Sequence, residues 1–188
     1  RLREYQKAIN CYEKAIQIKP KHADAHNNLG TIFKELGEHQ KAKSCYEKVI
    51  EIDPNHANAH NNLGVVFQEM GEIQKAKSCY EKAIQIDPHH ASAHYNLGNI
   101  LKVLGKFQEA KHCFQKATQY EPDNLVFYYH LGHITNEALD SNLKRKIEKI
   151  MKDVDCTKQN LSYGNFLLSK YEVQNKNHEK EFNYLLKG

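Results

Sequence analysis

The chain has 188 residues, with 27 Lys+Arg against 23 Asp+Glu and a net charge of +4. That length suits one or two globular domains, and so small a basic excess would not hold a polyanion through phosphate contacts, so nucleic acid is not an expected partner. No run of about 18 apolar residues is present, which removes an apolar membrane-spanning helix and a membrane partner, and no basic-then-apolar segment marks a secretory signal.

The chain is built on one period. Pro20, Pro54, Pro88 and Pro122 stand 34 residues apart. Gly30, Gly64, Gly98 and Gly132 keep that step, as do Leu29, Leu63, Leu97 and Leu131, and Ala42, Ala76 and Ala110. A fixed period of this size means stacked supersecondary units. The first stretch, 1–22, reads as the second half of an opening unit, with Ala8, Tyr12, Ala15 and Pro20 in step. The chain is therefore expected to be a fragment that opens inside a repeat.

Complete units follow at 23–56, 57–90 and 91–124. In the middle one, Ala59, Leu63, Val66, Phe67 and Met70 fall on one stripe and predict a helix over 57–70. Gly71 tolerates the left-handed cap that stops it. Ile73, Ala76, Cys79, Tyr80, Ala83, Ile84 and Ile86 predict a second helix over 73–86. Asp87-Pro88 ends that one, because a residue before proline leaves the helical region. Links this short make the two helices antiparallel. Gly64, Ala76 and Ala83 allow their close approach, while Leu63, Phe67 and Tyr80 are expected to fill the space between pairs. One pair cannot bury both its faces, so neighbours must stack on it.

Residues 125–138 read as the first helix of a further unit, with Tyr128 and Leu131-Gly132 in step. The rhythm is lost after Asn136. In 139–188, Asp140-Ser141-Asn142 can cap a helix whose stripe is Leu143, Ile147, Ile150, Met151 and Val154. Two more helices are predicted over 158–172, with Leu161, Phe166, Leu167, Leu168 and Tyr171, and over 178–187, with Phe182, Leu185 and Leu186. Their expected role is to cover the end of the stack.

These residues carry a resemblance. Counting Ala57 as position 1, Leu63-Gly64, Phe67, Ala76, Tyr80, Ala83 and Pro88 follow the tetratricopeptide-repeat (TPR) pattern, and the units from Ala23 and Ala91 repeat it. One departure is constant: position 4, usually a large aromatic, is His26, His60 and His94. The resemblance implies an all-α, right-handed solenoid of antiparallel helix pairs with C-terminal capping helices. It implies a non-catalytic scaffold for a protein or extended peptide segment held along the concave groove of the first helices. The tail is also similar to the link between repeats and catalytic domain in TPR-fused bacterial sulfotransferases. The alternative is thus the recognition arm of a transferase, a sulfotransferase or glycosyltransferase, whose catalytic domain would lie beyond residue 188. A third reading is self-association through the solenoid ends, where the opening helix lacks a partner.

The groove positions implied by the resemblance are Asn27, Asn28, Thr31, Asn61, Asn62, Val65, Tyr95, Asn96, Asn99, Lys102 and His130. Asn28, Asn62 and Asn96 share position 6, which points into the groove. Each amide offers an acceptor and two donors, and steps of roughly 10 Å would meet every third residue of a chain extended at about 3.3 Å per residue. This resembles the asparagine ladder of O-linked N-acetylglucosamine transferases, and here it ends at His130. Solvation, or bonding within the stack, is the competing reading. Asp24, Lys34, Glu35, Asn58, Gln68, Glu69 and Ser92 complete a nearly neutral groove. The terminal-carboxylate clamp of chaperone-binding relatives is not expected, since no cation stands at the matching Asn27, Thr31, Asn62, Ser92 and Asn96.

Other motifs point away from catalysis. No phosphate loop, GxSxG or HExxH occurs, and no cofactor is expected. The i,i+4 pairs His22/His26, His56/His60 and His90/His94 have metal-ligand spacing, yet two rings per unit are too few, and packing is the preferred reading. Cys11, Cys45, Cys79 and Cys113 recur with the period, and Cys156 stands outside it. Neighbouring members would lie roughly 8–10 Å apart, beyond disulfide reach, so reduced, packed thiols in a cytoplasmic protein are expected. Lys144, Arg145, Lys146, Lys149 and Lys152 read as a solvated basic face. Asn160-Leu161-Ser162 matches a glycosylation sequon by composition alone.

Overall fold

A computed structural model describes residues 2–135, 139–153 and 156–187, apart from the side chain of residue 2. The described residues form eleven α-helices and no strand. They divide into two compact units, Arg1–Ile100 and Leu101–Gly188.

The first unit holds α1 (Leu2–Ile18), α2 (Ala23–Glu35), α3 (His39–Ile52), α4 (Ala57–Glu69), α5 (Ile73–Ile86) and most of α6 (Ala91–Val103). α2 packs on α3 and α4 on α5, while α1 meets α2 and α3 meets α4. The turns inside the pairs are made by Gly37 and Gly71 at φ 74° and 77°, a region L-residues enter at a cost. The next amide then reaches back: Glu38 N–H donates to Phe33 O and Glu72 N–H to Phe67 O, both at 2.8 Å. These bonds satisfy carbonyls that the helix end leaves open. α3 and α5 stop at Asp53 and Asp87, both extended, as a following proline requires.

The core of each pair is an alanine-lined seam with one large ring. Ala42, Tyr46 and Val49 on α3, and Ala76, Tyr80 and Ala83 on α5, have no exposed surface. The expectation that Tyr80 fills space between pairs is corrected: its ring lies on Gly64 of its own pair, where a β-carbon would meet Tyr80 Cε1 at 2.6 Å. Tyr46 occupies the same place over Gly30. Gly64 is small to seat a ring, in addition to letting two axes approach.

The second unit holds α7 (Phe107–Tyr120), α8 (Leu125–Thr135), α9 (Ser141–Lys152), α10 (Lys158–Gln174) and α11 (His178–Leu185). α8 packs on α7, and α10 packs on α8, α9 and α11. Leu125, Ile147, Leu167 and Leu168 form its buried cluster, with Leu143, Ile150 and Met151 against it; each such side chain contributes roughly 1.5–3 kcal/mol of burial. Asp140 caps α9 by accepting the Leu143 N–H at 2.7 Å. Val154, assigned to the α9 stripe, lies outside the described residues, as does Asn136.

The tail helices bury only part of their apolar residues. Of the apolar residues predicted on this helix, α10 turns Leu167 and Leu168 inward and leaves Leu161 and Phe166 exposed. Phe182 and Leu185 on α11, and Leu186 just past it, are also exposed, Leu186 at 71 %. α11 packs on α10 and brings Tyr184 to the core instead. Packed mainly on α10, α11 buries a narrow stripe, and its apolar residues spread wider than that.

Candidate functional site

Of the groove residues expected from the sequence, those from Asn27 to Asn99 lie in the first unit; Lys102 and His130 lie in the second. Within the first unit the structure brings four of them together. Asn96 Nδ2 donates to Asn61 Oδ1 at 3.0 Å, Asn61 Nδ2 to Asn62 Oδ1 at 3.4 Å, and Asn62 Nδ2 to Asn27 Oδ1 at 3.3 Å. The result is a directional chain of amides across α6, α4 and α2. Position 6 of one repeat bonds position 5 of the repeat before it, and the Asn61-Asn62 dipeptide joins the two bonds.

Asn61 is buried and Asn62 and Asn96 are half-buried. A side-chain amide has two donors and a two-lone-pair acceptor, so each link of the chain keeps capacity for another partner. Asn28 is exposed and takes no part in these bonds. Thr31 Oγ1 donates to Asn27 O at 3.1 Å and meets Tyr46 Oη at 3.2 Å. Val65, Tyr95 and Asn99 are half-buried. Among the charged positions, Glu35 accepts from Tyr5 Oη at 2.6 Å and Glu69 pairs with His39 at 3.3 Å, while Gln68 accepts from Tyr80 Oη at 2.9 Å.

The histidines have backbone work. His26, His60 and His94 bring Nε2 to the carbonyls of Pro20, Pro54 and Pro88 at 3.0, 3.0 and 2.9 Å. A carbonyl only accepts, so Nε2 carries the proton, and each ring fastens a first helix to the loop before it. His56 Nδ1 and His90 Nδ1 accept the N–H of Ala59 and Ala93 at 3.1 and 3.3 Å, acting as helix caps. His90 therefore presents Nε2–H to Asn58 Oδ1 at 2.9 Å. Backbone bonds thus engage five of the six paired rings, while His22 makes no side-chain cap bond; no group of three His, Cys, Asp or Glu suited to a metal occurs among the described residues.

In the second unit, His130 is half-buried against Phe114 and Tyr129, at ring separations of 5.8 and 5.3 Å. Burial, then Lys102 and His133, lower its pKa to about 4, so the ring is neutral at pH 7. The solvated basic face expected on α9 is corrected in part. Lys144 Nζ donates to the nearly buried Glu172 at 2.7 Å and Lys146 Nζ to Tyr128 Oη at 2.7 Å, so these two lysines turn onto neighbouring helices. Asn160 of the sequon accepts from Leu125 N and donates to Asp123 O, both at 3.0 Å; its amide caps α8.

Sequence reasoning missed one cluster. Tyr129 on α8 meets His133, Tyr163 and Phe166 at 4.5, 4.9 and 5.1 Å. The density of aromatic residues at 128–129 and 163–166, outside the regular repeats, was the available signal. Cys45 and Cys79 are half-buried, and burial pushes both thiols up to about 11.

Comparison with known proteins agrees with this architecture. The profile described as tetratricopeptide repeat matches residues 22–89 and 55–120, and one described as TPR repeat matches 3–37. No curated protein sequence matches significantly. PilF of Pseudomonas aeruginosa is similar in structure at TM-score 0.74 and 20 % identity, over 97 % of this chain and 82 % of that one. MamA is similar at TM-score 0.64 and 22 % identity, over 92 % and 91 %. YrrB, described as a TPR protein with an unusual peptide-binding site, is similar at 0.61 and 20 %, over 94 % and 89 %. At these identities the likeness is one of fold. No helix among the described residues is long and apolar enough to cross a membrane.

Proposed function

The chain belongs to the tetratricopeptide-repeat family, and from that premise we propose that it is a binding scaffold whose first unit holds an extended peptide segment of a partner protein on the faces of α2, α4 and α6. The observation that carries this reading is the amide chain from Asn96 through Asn61 and Asn62 to Asn27. Peptide backbone presents alternating donors and acceptors, and the spare capacity of the half-buried Asn62 and Asn96 matches it without reading side chains. The bonds between repeats hold Asn62 and Asn96 in one orientation, so less freedom remains to be lost on binding. The peptide-binding site attributed to YrrB adds support from a relative of the same fold.

The near-neutral character of these faces fits a partner recognised through its main chain. Asn28, Thr31, Val65, Tyr95 and Asn99 would border the same track, and Lys102 and His130 are proposed as groove residues of the second unit.

A library of random displayed peptides, selected on the protein, tests the reading. Selected peptides should bind the wild type and lose about tenfold or more in affinity, roughly 1.4 kcal/mol, when Asn62→Ala and Asn96→Ala are combined. Failure to enrich any peptide, or equal affinity for the variant, would sink the proposal.

A further inference from the structure

The second unit carries a recess of different chemistry. A cavity of about 270 Å³ is lined by Tyr129, Ser162, Tyr163, Phe166, Tyr184 and Leu185. Four of these six side chains are aromatic. Tyr129 meets Tyr163 at an interplanar angle of 57° and Phe166 at 72°, so these rings stand as steep walls of a cup. Phe166 keeps 42 % of its surface exposed. The hydrophobic effect would favour closing that ring inside the core, yet α10 directs its neighbours Leu167 and Leu168 inward and leaves the ring at the recess. The volume lies below the roughly 300–1,000 Å³ of sites for drug-sized molecules, so one compact group fits.

We propose that this cup is an aromatic cage for a quaternary ammonium group. Aromatic faces carry partial negative charge and attract a cation, most strongly where water is displaced. The charges around the α11 wall favour the same sign. Burial, then Glu148, raises the pKa of the Tyr184 hydroxyl; Lys144 opposes this and Glu172 adds to it. Two carboxylates thus act there against one ammonium, and that ammonium is paired, at 2.7 Å from Glu172 and 3.9 Å from Glu148. Near α8, Lys170 Nζ is bound to Gly132 O at 3.1 Å and His133 lies 4.5 Å from the Tyr129 ring. The favourable side for a cation is therefore the Tyr184 side.

The walls also select the kind of cation. Among the described residues no carboxylate lines the recess, so a primary ammonium would leave its strong hydration without an ion pair in return. A quaternary ammonium has no N–H to satisfy. Its methyl groups bring the charge against the ring faces while burying apolar surface. A neutral apolar group would gain the burial alone, with nothing from the ring quadrupoles or from Glu148 and Glu172. Trimethyllysine on a partner chain and choline share this head group. The site uses no residue of the asparagine chain in the first unit, so the two proposals fail separately.

The probes are choline, dimethylbutanol as its neutral isostere with carbon in place of nitrogen, and a trimethyllysine peptide with its unmethylated twin. Each is titrated into the full chain by calorimetry. Choline and the trimethyllysine peptide should bind, and the isostere and the unmethylated peptide should bind about fivefold or more weakly. The tighter of the two binders assigns the source, small molecule or protein. Phe166→Leu, which keeps apolar bulk and removes a ring, should weaken choline about fivefold with an unchanged thermal melt. Glu148→Gln should weaken choline and leave the isostere unaffected. The Asn62→Ala, Asn96→Ala variant should bind choline as the wild type does. No binding of either methylated probe overturns the proposal. So does equal binding of choline and its isostere, equal binding of the two peptides, choline affinity untouched by Phe166→Leu and Glu148→Gln, or loss of choline binding in the asparagine variant.

Discussion

The ring of Tyr80 stands where a side chain on Gly64 would begin: a β-carbon there would lie 2.6 Å from Cε1 and 2.8 Å from Cδ1. Tyr80 is fully buried, its hydroxyl is held by Gln68 at 2.9 Å, and its ring has no room to retreat. Gly64→Ala should destabilise by about 1–3 kcal/mol and Gly64→Val by more, as overpacking of a filled seam does. Gly132 keeps the same place in the period, but a β-carbon on it would meet nothing within 4 Å. Gly132→Ala should therefore stabilise, by up to about 1 kcal/mol, through helix propensity. Urea denaturation of the three variants checks the contrast; equal effects at 64 and 132 would remove the seated-ring account.

His130 makes stability depend on pH. Its pKa falls from 6.5 to about 4 in the folded chain, first through burial and then through Lys102 and His133. Between those values the unfolded state binds more protons than the folded one, so stability rises with pH across that window. The contribution is complete above about pH 6.5 and is lost as pH falls toward 4. The melting temperature should drop on acidification through this range, and His130→Phe should flatten that part of the profile. An unaltered slope in the variant would contradict the assignment.

Lys144 and Glu172 are unequal partners. The carboxylate is 4 % exposed and the ammonium 22 % exposed, at 2.7 Å. Removing the lysine strands a buried charge, whereas neutralising the glutamate leaves the lysine access to water and to Glu148 at 3.9 Å. Lys144→Met should cost about 3 kcal/mol, and Glu172→Gln less. Thermal melts at pH 7 measure the difference, and the reverse order would rule out the burial argument.

The periodic thiols should differ in reactivity. Burial pushes Cys45 and Cys79 up to about 11, and the thiolate is the reacting species. At pH 8 both should react with a disulfide reagent more slowly than Cys11, which is exposed. Mass spectrometry of the partly labelled protein gives the order, and first modification at Cys45 or Cys79 would be inconsistent with their environment.

Much of the helical layout was readable along the chain, because each boundary has a local cause. Gly71 enters a left-handed turn, Asp87 precedes a proline, and the apolar stripe of 73–86 repeats at helical spacing. The aperiodic tail was less legible. Leu161, Phe166, Leu167 and Leu168 are all apolar, and four such residues in one helix do not say which of its faces will meet a neighbour. Contacts with α8 and α9 chose Leu167 and Leu168.

By itself the sequence determined a 34-residue period and, through glycine and proline, where helices stop and turn, since those residues act on their own backbone. Only the tertiary structure decided what the polar and aromatic side chains do. Asn62 reaches Asn27 and Asn96 reaches Asn61, partners 35 residues away, and Tyr129 gathers Tyr163 and Phe166 around a cup. Such bonds depend on how one helix is rotated against the next, and that rotation is set by the packing of whole faces.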